Sequence, residues 1–205
     1  MGRTRSPGST SRRLRGDGGL AIVEFAIVAP LLALLAAGIV EFGMAWRDNL
    51  TLSSASRSAA RVASNLGDNP LSDYEALLTL DAAFASMEHA TLEGVLIYDG
   101  SATDGNPAAS CFDSFGDPQP SATGDCNYYT AAMIETIGIG NFSTGTACGA
   151  WDWYFCPLTE RSVNQNTLSD VGVWVRIQRG WFTQMFPGDG LTMEDRTVMR
   201  AEPGT

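Results

Sequence analysis

The sequence contains no lysine and only one histidine, His89, among its 205 residues. A chain without a lysine ammonium cannot form a Schiff base, supply the lysine of a phosphate-binding loop or provide the amine of an isopeptide link. A single histidine excludes histidine-rich metal sites and leaves one candidate base, for which the sequence marks no nucleophile. We therefore expect that the protein is not an enzyme and that it holds no metal ion or other cofactor.

Positive charge is scarce beyond the N-terminus. Five of the 13 arginines and one of the 23 carboxylates lie in residues 1–19, which leaves eight arginines against 22 carboxylates and a formal charge of −14 on the remaining chain. So acidic a chain repels the phosphate backbone of nucleic acids. Nucleic acid is therefore excluded as a partner of the folded part.

An apolar run of 26 residues, 20–45, follows the arginine cluster. Its only charged side chains are Glu24 and Glu41, and their spacing would allow each carboxylate to lie near one membrane interface. As a helix it would extend about 39 Å, which is enough to cross a bilayer. The positive-inside rule predicts a basic cytoplasmic leader over 1–19, a transmembrane helix over 20–46 and an exported domain over 47–205. A cleaved secretory signal is the rival interpretation, but the run is longer than a typical signal core and its pattern continues as helix.

The junction between leader and run reads GGLAIVEF over residues 18–25. This octapeptide resembles the cleavage site of type IVb prepilins, which implies a cut between Gly19 and Leu20 by a membrane-embedded prepilin peptidase. The peptidase carboxylates can approach a glycine closely because it has no Cβ. Glu24, which precedes Phe25, would pair with the freed amine of a neighbouring subunit, since an unpaired carboxylate in hydrocarbon costs about 2.5–3.5 kcal/mol. The alternative is a glutamate at the membrane interface after a flexible glycine linker.

Four further features are Pro30, VEFG over 40–43, SRSAARVA over 56–63 and the closing VMRAEP over 198–203. Together with the junction they resemble the TadE/TadG-like family of the tight-adherence pilus and secretion machinery. The family implies a minor pilin-like subunit, or pseudopilin, whose partners are other pilin-like subunits, membrane components of the machinery and the prepilin peptidase. Smaller TadE members are processed, whereas larger TadG-like members often are not, so the site at Gly19 decides between the two.

The apolar helix is expected to pack against other helices and to continue beyond the membrane. Ala29, Ala33 and Ala37 recur every four residues, a small-residue stripe that allows close helix contact in lipid. An ordinary lipid-facing helix with incidental alanines is the alternative. Beyond the run, a narrow apolar seam with three-four spacing predicts packing within the same chain up to a helix stop at Gly67. The seam consists of Leu52, Ala55, Ala59, Val62 and Leu66.

The exported part is predicted to be α+β and pilin-like, with a second helix and an antiparallel sheet. The sequence SDYE over 72–75 is typical of a capping box, and it predicts an amphipathic helix that ends near His89. Residues 92–99 are β-like, and residues 171–178 show the clearest alternation of apolar and other side chains. After a Pro-Gly turn, residues 191–201 return as another strand.

All four cysteines lie in the exported part, which is typical of two disulfides in an oxidising compartment. Three pairings are possible, and we favour the local pairs Cys111–Cys126 and Cys148–Cys156, which would staple the loop-rich region 99–156. Each closure would contribute about 2–4 kcal/mol. Zinc is the alternative, which the spacing disfavours because no C-x-x-C pair is present.

Four large aromatic side chains lie close to the last cysteine, at Trp151, Trp153, Tyr154 and Phe155. They could form an exposed adhesive patch or pack against the disulfide. Large aromatic side chains dominate protein cores. We therefore expect burial against the disulfide.

The sequence predicts a structural assembly protein with one membrane pass. The leading hypothesis is a minor pilin-like subunit of a tight-adherence type IVb pilus system, located in the cytoplasmic membrane with its N-terminus in the cytoplasm and its C-terminal domain outside, and associated with the pilus. The alternative is an uncleaved envelope protein whose exported domain binds a partner or a surface. An exported enzyme has the least support.

Overall fold

The computed structural model describes residues 17–102, 104–120 and 124–203. The chain divides into two compact units after Val40. We call them the anchor unit and the exported unit, after the locations that the sequence analysis predicts for them. The arginine cluster of the predicted cytoplasmic leader lies outside the described residues. The boundaries of leader, transmembrane helix and exported domain therefore stay predictions.

The described residues contain four α-helices and four β-strands. The first helix is 50 residues long and includes Pro30 without interruption. Single turns of 3-10 helix occupy Ala109–Cys111 and Ile139–Asn141. In chain order the elements are α1 (Asp17–Leu66), α2 (Ser72–Phe84), β1 (Ala90–Asp99), β2 (Cys126–Thr130), α3 (Ala131–Glu135), α4 (Pro157–Glu160), β3 (Asp170–Arg179) and β4 (Leu191–Arg200).

The four strands form one antiparallel sheet in the order β2-β1-β3-β4. Ile97 of β1 lies opposite Asn127 of β2 on one side and Val173 of β3 on the other. Val173 in turn lies opposite Thr197 of β4. A long apolar helix, a second helix and this sheet confirm the predicted α+β fold class.

One face of the sheet packs against the exported part of α1 and against α2. Leu52 and Ala59 of the predicted seam are fully buried, in one cluster with Val173 and Ile177 of β3. Burial of a side chain the size of leucine or valine stabilises a fold by about 1.5–3 kcal/mol. The predicted seam therefore packs within its own chain.

The other face of the sheet is covered by the loop that carries the first disulfide. Leu96, Tyr98 and Trp174 form a buried cluster with the pair Cys111–Cys126. The ring of Trp174 lies 5.6 Å, centroid to centroid, from the ring of Phe112 in this loop. Strand β3 is therefore covered on both faces, and the side chains that alternate along it belong to two different buried clusters.

Two predictions about α2 are wrong. The helix ends at Phe84, five residues before His89, and its N-terminal flanking residue is Leu71, without a side-chain cap. Ser72, which the sequence pattern assigns to the cap, donates its hydroxyl to the carbonyl of Ala63 over 3.1 Å. Packing of α2 against α1 uses the hydroxyl that an isolated helix would use for capping.

Candidate functional site at the membrane anchor

The anchor unit presents an apolar helix surface. Leu20, Phe25 and Ile39 expose 65%, 71% and 75% of their surface. The most apolar window of 18 residues in this helix has a mean hydropathy of 2.5, and none of it is buried. Within the part of the chain that the structure describes, this is the one helix long and apolar enough to cross a membrane.

The predicted cleavage site lies in the first turn of α1. A Cβ at Gly19 would meet nothing within 4 Å beyond its own helix, and the next residue, Leu20, is 65% exposed. The packing of the described residues therefore does not require a glycine here. Cleavage between Gly19 and Leu20 stays a prediction.

The predicted pairing residues Glu24 and Phe25 are both exposed on α1. Among the described residues, Glu24 has neither a hydrogen-bond partner nor an ion-pair partner. A charged side chain inside an apolar window is costly in a membrane unless it finds a partner. The described part of its own chain therefore supplies no cation for Glu24.

The alanine stripe of the anchor is not part of the buried core of the described residues. Ala33 is exposed, and Ala29 and Ala37 are half-buried. None of the three belongs to the two buried clusters of the described residues. Their role in packing against another helix stays a prediction.

The second glutamate of the apolar run has a different environment. Glu41 is only 3% exposed. One of its oxygens accepts a hydrogen bond from Nη1 of Arg179 over 3.3 Å, and the other accepts from the backbone N and Oγ of Thr183 over 2.7 and 3.1 Å. Arg179 also donates from Nε to Asp48 over 2.7 Å. These bonds tie the first turns of the exported unit to the end of β3 and to the loop that follows it.

Sequence reasoning placed Glu41 near a membrane interface and did not identify Arg179. A signal for the buried carboxylates was present, because Glu41, Ala45 and Asp48 continue the three-four spacing of the seam that starts at Leu52. All three are buried, with exposures of 3%, 7% and 7%. The same face of α1 therefore carries first the carboxylates and then the apolar seam.

A second buried ion pair joins α2, β2 and the loop before β3. Arg161 donates from Nη2 to Asp73 over 2.6 Å, and both side chains are fully buried. Asp73 also accepts from Asn127 over 2.9 Å and from the Tyr129 hydroxyl over 2.6 Å. Burial and the neighbouring Asp73 carboxylate raise the pKa of Tyr129 well above its usual value. Both charges are buried and paired with each other, while Nε of Arg161 has no hydrogen-bond partner among the described residues. We therefore assign the pair a structural role.

The cysteines are joined as Cys111–Cys126 and Cys148–Cys156. These are the two local pairs that the sequence analysis favours. No described cysteine remains free. Both disulfides lie in the exported unit, and the first contributes to the buried cluster on the outer face of the sheet.

The aromatic group near the last cysteine is divided between core and surface. Phe155 is buried, and the guanidinium of Arg161 lies 4.5 Å from its ring centroid. Trp151 packs against the main core. Trp153 and Tyr154 expose 63% and 38% of their surface. Phe155 is therefore buried and Trp151 partly buried, whereas the predicted burial is wrong for Trp153 and Tyr154.

The described part of the exported unit does not assemble a set of metal ligands. Among the described residues, no group of three or more histidine, cysteine, aspartate or glutamate side chains is placed to hold a metal ion. An open groove of about 540 Å³ runs between α1 and α2, and its lining contains no histidine, cysteine or carboxylate. The expectation that the protein is not an enzyme stays a prediction.

Comparison with known proteins identifies one segment of the chain. The model of the family described as TadE-like protein matches residues 19–61. No curated protein and no solved structure matches the chain. The matched segment contains the predicted cleavage site and both glutamates of the apolar run. The resemblance to the TadE/TadG-like family is therefore confirmed over residues 19–61, which lie within α1.

Proposed function

We propose that the protein is a minor pilin-like subunit of a tight-adherence type IVb pilus assembly or secretion system. A single helix anchors it in the cytoplasmic membrane, with the leader in the cytoplasm and the exported unit outside, and a prepilin peptidase cuts between Gly19 and Leu20. The TadE-like match over 19–61 supports association with this machinery. The observation that carries the finer proposal is the contrast between Glu24 and Glu41.

The two glutamates differ in whether their own chain supplies hydrogen-bond partners for the carboxylate. Glu41 is buried and accepts hydrogen bonds from Arg179 and Thr183. Glu24 is exposed on an apolar helix and has no partner among the described residues. Because an unpaired carboxylate in hydrocarbon costs about 2.5–3.5 kcal/mol, its presence requires a cation from another molecule. A helix that only anchors the protein in the membrane needs neither a carboxylate at this position nor a cation to pair with it.

Cleavage at Gly19 would create the required cation. Hydrolysis of the Gly19–Leu20 bond leaves a free amine on Leu20, and an α-amino group with a pKa of about 7.7–8.0 is mostly protonated at neutral pH. Leu20 precedes Glu24 by four residues, which is about one turn, or 6 Å, along a helix. In a bundle of parallel helices offset by this rise, the amine of one subunit meets Glu24 of the next. Processing and assembly are then two steps of one mechanism.

The substitution Glu24→Ala in the full-length chain tests the proposal. We expect the variant to insert into the membrane and to form both disulfides, because Glu24 contacts nothing in the described fold, while pilus production or secretion fails. Glu75→Ala is the matched control, since Glu75 is an exposed carboxylate of the exported unit. Normal pilus production by the Glu24 variant would contradict the pairing role.

The alternative function is that of an uncleaved envelope protein whose exported unit binds a partner or a surface. The observation in its favour is the exposure of two large side chains of the exported unit, Phe115 at 89% and Trp153 at 63%. Under this alternative, Glu24→Ala has no effect and Trp153→Ser abolishes the function. The proposed function predicts the opposite pair of results.

A further inference from the structure

We infer that the loop between β3 and β4, residues 180–190, is a second membrane contact that lies in the headgroup interface of the bilayer crossed by the anchor. The inference rests on the membrane anchor of the proposed function. It does not depend on cleavage at Gly19, because the contact involves the exported unit alone.

The loop is rich in large apolar side chains and poor in charge. It contains Trp181, Phe182, Met185 and Phe186, and its one charged residue is Asp189. Phe182 and Met185 expose 49% and 51% of their surface. Exposed apolar surface is unfavourable in water and favourable at the boundary between headgroups and acyl chains. The composition therefore fits a lipid surface better than it fits open solvent.

Aromatic contacts hold the loop in shape. The ring centroids of Trp181 and Phe186 are 5.2 Å apart, and Nε1 of Trp181 donates to the carbonyl of Pro187 over 3.3 Å. The ring of Phe182 lies 5.4 Å from the ring of His89. An amphipathic tryptophan among apolar rings is typical of the membrane–water interface. The loop thus presents a preformed apolar surface.

The loop is tied to the residue at which the exported unit begins. The backbone N and Oγ of Thr183, in the middle of the loop, both donate to Glu41. Glu41 follows Val40, the last residue of the anchor unit, through one peptide bond, and consecutive Cα atoms are about 3.8 Å apart. The loop therefore lies beside the last residues of the apolar run, 41–45. Because Arg179 pairs with Glu41, this carboxylate does not oppose contact with lipid.

The exported unit also offers an exposed aromatic residue at its far end. Trp153 is 63% exposed, and two residues later the carbonyl of Phe155 accepts from Arg161 over 3.1 Å. Arg161 also donates to Ser72 at the start of α2. Ser72 in turn donates to the carbonyl of Ala63, which lies about 33 Å along α1 from the start of the exported unit. Trp153 therefore lies far from the start of the exported unit, and it is a matched control for Phe182 and Met185 of the loop.

Photo-crosslinking of the full chain in native membranes tests the inference. The photoreactive amino acid benzoylphenylalanine replaces Phe182, Met185 or Trp153 in separate variants, and adducts are identified by mass spectrometry after irradiation. We expect phospholipid adducts at positions 182 and 185 and none at position 153. Adducts with protein instead of lipid at positions 182 and 185, or no lipid adduct at either position, would overturn the inference.

Two controls separate this result from folding defects and from failure of the proposed function. Intact mass under non-reducing conditions shows whether both disulfides have formed, and Met185 retains the test if replacement of Phe182, which contacts His89, disturbs the fold. Loss of the chain from alkaline-washed membranes would contradict the anchor and therefore both proposals. A retained chain without lipid adducts would overturn the loop contact alone.

Discussion

Arg179, the last residue of β3, donates from Nη1 to Oε2 of Glu41 over 3.3 Å, although the two residues lie 138 positions apart. The guanidinium is fully buried and also binds Asp48 over 2.7 Å. One cation therefore serves two carboxylates on the same face of α1. Because a buried charge without a partner is unfavourable, this arrangement fixes the end of β3 against the first turns of the exported helix.

Removal of the shared cation should destabilise the exported unit strongly. Arg179→Met leaves Glu41 and Asp48 buried without a counter-charge, and we expect the free energy of unfolding to fall by about 3–5 kcal/mol. Denaturant unfolding of the full chain in detergent measures this loss. The control is Arg200→Met, because Arg200 is 67% exposed in its pair with Asp170 and should cost less than about 1 kcal/mol. Equal losses for the two variants would contradict the assigned role.

Gly19 should matter for processing and not for folding. Gly19→Leu leaves the fold intact, because a Cβ at this position meets nothing within 4 Å beyond the helix, but it prevents close approach of the peptidase. We expect the unprocessed chain to accumulate in membranes, as seen by its mass on immunoblots. Gly43→Leu is the matched control, since Gly43 is an exposed glycine on the same helix with the same open surroundings. Normal processing of the Gly19 variant would show that the site lies elsewhere.

The two disulfides should contribute unequally to stability. The pair Cys111–Cys126 closes a loop of 15 residues and the pair Cys148–Cys156 one of 8 residues. Loop-closure entropy predicts losses of about 3 and about 2.5 kcal/mol when each pair is replaced by serines. Denaturant unfolding measures both losses, and peptide mapping under non-reducing conditions checks the pairing. Free thiols in the mapped protein would contradict the disulfides themselves.

The stability of the exported unit should fall at alkaline pH. Tyr98 is fully buried and donates to the carbonyl of Gly105 over 2.7 Å, and burial raises its pKa from 10.0 to about 12. The folded state thus holds this proton more tightly than the unfolded chain does. The corresponding stabilisation is complete below about pH 10 and is lost as the pH rises towards 12.

Thermal unfolding followed between about pH 8 and pH 12 measures this dependence. We expect the midpoint to fall steeply above about pH 10 and to fall less steeply in Tyr98→Phe, which has no proton to lose. The midpoint of this variant still falls with increasing pH, because burial also raises the pKa of Tyr129. An identical pH dependence in the variant and the parent chain would show that Tyr98 is not responsible.

Local patterns in the sequence predicted α1, α2, β1, β3 and β4, but they did not predict β2, which lies in the region expected to be loop-rich. The seam from Leu52 to Leu66 and the alternation of residues 171–178 both depend on which face of one element is buried, and this repeats with the geometry of that element. The favoured pairing of the cysteines depends on short separations along the chain. Such features need no knowledge of distant residues.

The polar contacts between distant segments were not predictable in the same way. Ser72 and Asp73 have the local pattern of a helix start, yet the fold uses them to bind Ala63 and Arg161. The capping prediction fails because tertiary hydrogen bonds compete with local ones. Arg179 likewise ends β3, and the alternating pattern of this strand does not indicate that Arg179 contacts α1. A single sequence does not specify which buried charges become neighbours.

The central claim is that a peptidase cuts this chain after Gly19 and that the new amine pairs with Glu24 of a neighbouring subunit. The most direct measurement is the intact mass, with the N-terminal sequence, of the protein extracted from membranes of cells with and without the prepilin peptidase. We predict a chain that starts at Leu20 when the peptidase is present and a chain that retains residues 1–19 when it is absent. Retention of residues 1–19 in the presence of the peptidase would contradict the account.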